Sequence, residues 1–316
     1  MKDSLGQKIS VCLLTYNHVG LVKTTLQSIL DQTIDGYEVI VSDDCSTDGT
    51  WESILAVAQT DSRIRPFQTP RNMKMPGNAN FAISHSDRPY IALLHHDDLY
   101  RRDLLQKWAE NLERYPGVGF VFNPYDVSHA QRIYGRRFKA ECMDGRRFLE
   151  KRLLTRWGCP VRGTAMIRRT CWDEVGGMRD RFDLVSDVDL WMRLAKIAQV
   201  GYVPETLISL RVARPDYYPD LYNESKFNWI RKLLVYEIHA ANRLSHFSCN
   251  TFVGKMRWWE FRLRLSFETM FWLCYGVVRK KRRSEILKPS AHSVTTYDLW
   301  PVHVLRNIIH RFLYPV

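Results

Sequence analysis

Along the amino-terminal two-thirds of the chain, short apolar runs alternate with stretches in which apolar residues recur every three or four positions. Ile9-Ser10-Val11-Cys12-Leu13-Leu14-Thr15 is rich in β-favouring side chains and halts at Tyr16-Asn17-His18, where Asn supplies turn chemistry, so it reads as a first strand. Leu21, Thr25, Ile29 and Leu30 follow at helical spacing as far as Gln32. After the turn Asp35-Gly36, the run Tyr37-Glu38-Val39-Ile40-Val41 reads as a second strand. Ser42-Asp43-Asp44-Cys45-Ser46-Thr47-Asp48-Gly49-Thr50 is dense in side chains that bond backbone and cap helices, and the helical pattern Trp51, Ile54, Leu55 and Ala58 comes next.

Residues 63–67 are a weaker strand candidate, and residues 77–82 open a short helix. Pro89-Tyr90-Ile91-Ala92-Leu93-Leu94 is then an apolar run too short for a helix, and it ends abruptly in His95-His96-Asp97-Asp98. It reads as a buried strand opening into a polar site, or as a charged loop that caps the helix starting near Arg101. Leu104, Leu105, Trp108 and Leu112 share one face of that helix, which Pro116-Gly117 closes. Residues 118–122 and 163–167 read as strands, Gly176-Gly177 as a turn, and 189–198 as a helix preceded by the acidic group Asp183, Asp187 and Asp189. Residues 124–162 are basic and irregular and give no clear pattern.

Alternating strands and helices predict an α/β fold, a mostly parallel sheet flanked by helices, in which ligands gather outside the carboxyl ends of the strands. From about residue 216 the strand signals fade and helical patterns rich in aromatics and arginine take over. The expected division is therefore a domain at 1–215 and a C-terminal helical, basic and aromatic appendage at 216–316. Residues 263–278 are its most apolar span, interrupted by Arg264 and Glu268 and shorter than the ~20 residues a spanning helix needs. Two readings stay open. A helix lying in a membrane surface would use Trp258, Trp259, Phe271 and Trp272 as anchors and Arg279-Lys280-Lys281-Arg282-Arg283 against anionic headgroups. Otherwise the aromatics cover the sheet or a partner subunit.

Composition adds constraints. With 316 residues and 45% hydrophobic content the chain can bury a sizeable core. The net charge is +12, and residues 251–316 hold 12 Lys and Arg against 4 Asp and Glu, an excess of 8 that suits an anionic partner. Seven cysteines, odd in number and without metal-ligand spacing, fit a reduced, cytoplasmic setting, and the first residues carry no apolar export signal. Nucleic acid is disfavoured as a partner: the basic residues do not alternate with aromatics on a recognisable module, and the acidic clusters repel phosphate.

Three carboxylate clusters remain: Asp43-Asp44 and Asp97-Asp98 after strands, and Asp187 just before a helix. Together with Thr15-Tyr16-Asn17, Ser28-Ile29-Leu30-Asp31-Gln32-Thr33, Arg71-Asn72 with Asn78 and Asn80, Gly176-Gly177 and Ser186-Asp187-Val188-Asp189-Leu190-Trp191-Met192-Arg193, they resemble the family 2 glycosyltransferases of GT-A (Rossmann-like) fold. The resemblance implies inverting transfer of a sugar from a nucleotide-sugar, with UDP the default nucleotide, to a hydroxyl of a glycan or lipid-linked glycan, in cell-surface polysaccharide or lipopolysaccharide assembly. It implies donor-binding roles for Thr15, Tyr16, Asn17, Asp44, Arg71, Asn78, Asp97 and Arg211, a Mn²⁺ or Mg²⁺ ion at Asp97 with His95, and Asp187 as the general base. A cytoplasmic protein, peripheral on the inner face of the cell membrane, would follow.

Two positions depart from the family pattern. Its metal motif is commonly Asp-x-Asp, and here the first position is His95, either an imidazole ligand that suits Mn²⁺ better than Mg²⁺ or a side chain that only packs, as His96 is expected to do. Relatives often carry a histidine two residues beyond the arginine of Leu207-Ile208-Ser209-Leu210-Arg211, where this chain has Ala213. Arg211 and Arg214 would still match diphosphate geometry. The His95 departure keeps a second function open, an inactive relative that binds nucleotide-sugar as a sensor or scaffold. A processive synthase is disfavoured, because Arg156-Trp157 lacks the glutamine of the Gln-x-x-Arg-Trp motif.

Overall fold

A computed structural model describes residues 5–127, 133–134, 138–154, 159–211, 238–239, 241–243, 245–246 and 251–278. The chain divides into two compact units, Met1–Tyr217 and Tyr218–Val316.

The first unit is built on an eight-stranded mixed sheet with helices on its faces. Its strands are β1 (Ile9–Thr15), β2 (Glu38–Asp43), β3 (Ile64–Gln68), β4 (Tyr90–His95), β6 (Val118–Phe122), β9 (Cys142–Met143), β10 (Ala165–Arg168) and β11 (Gln199–Tyr202), in the order β3-β2-β1-β4-β10-β6-β11-β9. The first four strands in that order run parallel, as the alternating pattern predicts. β10 then enters antiparallel to both β4 and β6, so its start lies beside the end of β4. β1 and β2 are buried at every position, as strands covered on both faces must be.

Helix α1 (Val19–Leu30) presents Val22, Leu26 and Ile29 to this sheet, and α4 (Leu104–Arg114) presents Leu104, Leu105, Trp108 and Leu112. Each such side chain, fully buried, contributes roughly 1.5–3 kcal/mol of hydrophobic stabilisation. The remaining helices of the unit are α2 (Thr50–Ala58), α3 (Lys74–Ser84), α5 (Gly145–Phe148), α6 (Arg169–Val175) and α7 (Ser186–Ile197). A smaller four-stranded sheet, β5 (Asp98–Tyr100), β12 (Ile208–Leu210), β7 (Tyr125–Val127) and β8 (Ile133–Tyr134), carries the chain onward from the end of β4.

Three expectations shift. Asp98 does not lead directly into a helix: it opens β5, which pairs with β12, and α4 starts at Leu104. The helix expected at 189–198 begins at Ser186, so Asp187 lies in its first turn and not before it. The unplaced segment 124–162 holds β7, β8, β9, α5 and a π-helical turn, Leu149–Leu153, among its described residues.

In the second unit the described helix α8 (Phe252–Val278) contains the apolar span 263–278. Among the described residues no helix is long and apolar enough to cross a membrane. Residues 279–283 and Arg214 lie outside the described residues, as do the side chains of Phe271 and Trp272.

Candidate active site

Strand register assembles the site. Thr15 stands opposite Asp43, Asp43 opposite Gln68 and Leu14 opposite His95, so the four parallel strands end within one residue of level and their turns open on one edge of the sheet. That edge is the carboxyl end, the side on which ligands bind open α/β sheets.

At the first turn Asp43 is fully buried and serves the backbone of the site. Its Oδ1 accepts from Thr15 Oγ1 at 3.0 Å and Ser46 Oγ at 2.5 Å, and its Oδ2 accepts from Ser46 N at 2.9 Å and Gln68 Nε2 at 3.1 Å. Asn17, in the left-handed region at φ 49°, donates its backbone N–H to Ser46 Oγ and accepts from Thr47 N with Oδ1, both at 2.8 Å. Cys45 is left-handed as well, at φ 61°. Such backbone is uncommon outside glycine and is held here by the surrounding bonds.

Asp44 turns toward the next loop, where Oδ1 accepts from Thr69 Oγ1 at 3.0 Å and Met73 N at 2.7 Å. Burial pushes its carboxyl above the ordinary value, against those hydrogen bonds, which pull it down. Asn78 is buried: its Oδ1 accepts from Ser42 Oγ at 2.5 Å and its Nδ2 donates to the carbonyls of Ser42 at 3.1 Å and Thr15 at 3.4 Å. Thr15 and Asn78 thus tie the ends of β1 and β2 together, while Tyr16 and Arg71 are exposed at the rim. Thr15, Tyr16, Asn17, Asp44 and Asn78 form one group, and Thr69 links it to Arg71 by donating to the Arg71 carbonyl at 2.8 Å.

The second turn is held by other means. Thr25 Oγ1 donates to the carbonyls of His96 at 2.6 Å and Asp98 at 3.1 Å. Arg211 Nε donates to Asp97 O at 3.1 Å, and its Nη2 to the carbonyls of His96 and Leu21, each at 3.3 Å, and to Thr25 Oγ1. Desolvation lowers the Arg211 pKa, and the nearby carboxylates of Asp97 and Asp98 oppose that shift. The guanidinium expected to clamp diphosphate therefore lies against the backbone of the Asp97 turn. Tyr100 adds a further brace: its Oη accepts from His95 N at 2.8 Å and donates to His95 O at 2.7 Å.

The two histidines separate. His96 Nδ1–H donates to Leu14 O at 2.8 Å, which leaves its Nε2 facing His18 Nδ1, and burial pushes its pKa down to about 4. It packs. His95 Nε2 is 3.1 Å from Gly163 O; a carbonyl can only accept, so Nε2 carries a proton.

Gly163 also locates Asp187. A Cβ added there would stand 2.6 Å from His95 Nε2 and 3.5 Å from Asp187 Oδ2, so a side chain at 163 would displace His95 where the end of β4 meets the start of α7. Asp187 is partly exposed, and its Oδ1 accepts from Val188 N at 2.8 Å. Two residues on, Asp189 is fully buried and accepts from Arg193 Nε at 2.7 Å. Arg193 in turn donates to the carbonyls of Val175 and Gly177 at 2.7 Å. Gly177 is left-handed at φ 69°, and a Cβ there would meet Asn80 Oδ1 at 2.6 Å. Asn80 completes the join by exchanging two 2.9 Å hydrogen bonds with the backbone of Met178. Asp189 and Asn80 therefore build the wall from which Asp187 projects.

Sequence reasoning passed over Tyr100, Gly163 and Arg193 as site-building residues, and took Thr25 only as part of a helical face. Gly163 and Thr25 meet partners far along the chain, and the nearer pairs Tyr100–His95 and Arg193–Asp189 take on a site-building role only once the strand and helix are formed. Among the described residues no three His, Cys, Asp or Glu side chains gather into a cage for a metal ion. The donors offered by Asp97 and His95 fit an ion that draws its remaining ligands from diphosphate oxygens and water.

Comparison with known proteins agrees with this arrangement. The family model described as glycosyl transferase family 2 matches residues 10–176. The putative glycosyltransferase EpsE of Bacillus subtilis (strain 168) is 29% identical over 216 residues, covering 65% of this chain and 73% of EpsE. The UDP-Glc:alpha-D-GlcNAc-diphosphoundecaprenol beta-1,3-glucosyltransferase WfgD of Escherichia coli is 25% identical over 128 residues, 40% of this chain and 49% of WfgD. The crystal structure of S. aureus TarS 1-349 in complex with UDP-GlcNAc superposes with a TM-score of 0.67 at 15% identity, covering 96% of this chain and 86% of that one; at this identity the likeness is one of fold.

Proposed function

The chain belongs to glycosyl transferase family 2 and is a glycosyltransferase, and from that premise we propose that it moves a sugar, with inversion, from a UDP-sugar to a hydroxyl of a glycan or lipid-linked glycan during cell-surface polysaccharide assembly. The observation that carries this reading is the convergence at Gly163, where the end of β4 and the start of α7 bring His95 and Asp187 to one point on the carboxyl edge of the sheet.

In this reading Tyr16, Asn17, Asp44 and Arg71 receive the nucleoside, with Thr15 and Asn78 fixing the strand ends beneath it. Asp97, with His95, would hold the divalent ion, Mn²⁺ or Mg²⁺. When bound, that ion offsets the negative charge developing on the departing diphosphate. Asp187 takes the proton of the acceptor hydroxyl as attack proceeds on the face opposite the leaving group, a contribution of about 10²–10⁴ in rate. Arg211 acts by fixing the turn that carries Asp97. The donor class is supported by the nucleotide-sugar in the TarS complex and the UDP-glucose named for WfgD, and the lipid-linked acceptor by WfgD alone. A peripheral location at the inner face of the cell membrane is supported by the excess of 8 positive charges in residues 251–316.

Nucleoside-diphosphate release from a panel of nucleotide-sugars, with Mg²⁺, Mn²⁺ or chelator, tests the proposal. The expected result is metal-dependent hydrolysis of one UDP-sugar, abolished in Asp187→Asn. Tight binding of a donor with no turnover under any condition, even with acceptor glycans supplied, would favour the sensor reading that His95 in place of an aspartate suggests, and absence of binding would overturn both.

A further inference from the structure

Helix α8 carries a stripe of apolar side chains turned to solvent. Phe252, Met256, Trp259, Leu263 and Phe267 are 78%, 57%, 52%, 46% and 73% exposed. They follow one another at steps of four, three, four and four residues, which places them in one line along the helix. At 1.5 Å per residue the stripe runs about 22 Å. The opposite side is inward: Phe261 is buried at 7% and stacks on Trp258 with ring centroids 5.8 Å apart.

Charge says what the stripe meets. Lys255 falls on one side of it and Arg257 on the other, both exposed, and the Arg262 guanidinium lies over the Trp259 ring at 5.4 Å. Among the described side chains Glu260 is the acidic residue on this rim. A second copy of the chain would bring these cations together rim to rim, at a cost. An anionic lipid surface would instead receive the aromatics below the headgroups and the cations among them. The helix does not have the apolar length to span, so it would lie in the plane of the surface.

We propose that the Phe252–Met256–Trp259–Leu263–Phe267 face of α8 is a docking surface for anionic phospholipid, with Lys255 and Arg257 on its flanks. This deepens the peripheral location proposed above and rests on that reading. Sugar transfer itself does not depend on it.

The test is co-sedimentation of the full chain with vesicles of phosphatidylglycerol and phosphatidylcholine in equal parts, against phosphatidylcholine alone, at low salt. Wild type is expected to bind the anionic vesicles. Phe252→Ser with Trp259→Ser and Phe267→Ser should lose at least about tenfold in affinity. Lys255→Gln with Arg257→Gln should lose about fivefold per charge, and salt should erase that difference. These side chains are exposed, so the variants should keep wild-type circular dichroism and donor turnover. Equal binding by wild type and the apolar-face variant would overturn the assignment of this face while leaving peripheral binding in place. No binding by wild type would overturn both. A wild-type dimer in the absence of lipid, dispersed by the same variant, would show that the occupant is a second copy and overturn the lipid assignment.

Discussion

Two strand ends in this protein carry the same dipeptide, Asp43-Asp44 at the end of β2 and Asp97-Asp98 beyond the end of β4, and the fold holds them differently. The first turn is held through side chains: Asp43 is fully buried and accepts hydrogen bonds from Thr15, Ser46 and Gln68. In the second, the holding bonds go to backbone carbonyls, donated by Thr25 and Arg211 to residues 96–98. The Asp43 carboxylate is committed to architecture, whereas the turn after β4 is anchored in part through its carbonyls, by Thr25 and Arg211. Role follows from which atoms bear the structural bonds, not from residue type.

The largest effect that would break the comparison is on turnover. Asp97→Asn removes a negative charge from the proposed diphosphate end, and donor turnover should fall about 10²–10³-fold, as when a preorganised electrostatic group is lost. Steady-state release of nucleoside diphosphate measures it.

A smaller effect, on stability, belongs to the other turn. Asp43→Asn removes the buried charge and, with its oxygen kept on Ser46 N and Gln68 Nε2, turns its NH₂ to the Thr15 and Ser46 hydroxyls, which must rotate to accept; unfolding in urea should show a loss of about 2–3 kcal/mol. Thr25→Val sharpens the contrast from the other side. It removes the hydroxyl that bonds His96 O and Asp98 O, should cost about 1–2 kcal/mol, and should weaken donor binding more than it lowers the chemical rate, because it moves the turn and not a reacting group.

The smallest effect is in pH. Burial raises the Asp44 pKa, so the folded state holds this proton more tightly than the unfolded chain does. Its contribution to stability is therefore unfavourable at neutral pH and is relieved as pH falls through the raised value. Donor affinity moves the other way, since nucleoside recognition by Asp44 needs the carboxylate. Titration of donor binding should show it weakening at a pH above that of an ordinary aspartate, and Asp44→Asn should flatten the profile.

Much of this was legible in the chain itself. The apolar runs before Tyr16, Ser42 and His95 predicted the parallel strands whose ends form the site, and the spacing of Leu104, Leu105, Trp108 and Leu112 predicted α4. What stayed hidden depends on distant partners. β5 and β12 are three residues each and pair across 108–112 positions of sequence, too short for an alternating pattern to register. β10 has the composition of any short strand, and nothing local states that it runs antiparallel. Asp187 and Asp189 look equivalent in sequence; the buried pair with Arg193 distinguishes them, and it requires a folded helix. Arg211 looked like a phosphate ligand because guanidinium suits phosphate, yet backbone carbonyls compete for the same fork.

The most direct test measures turnover and thermal unfolding on the same preparations of Asp43→Asn and Asp97→Asn. The account predicts that Asp97→Asn loses turnover while unfolding closer to wild type than Asp43→Asn, which unfolds roughly 5–10 °C lower. If Asp97→Asn turned over donor at the wild-type rate, or if both variants lost stability equally, the division of labour between the two turns would be wrong.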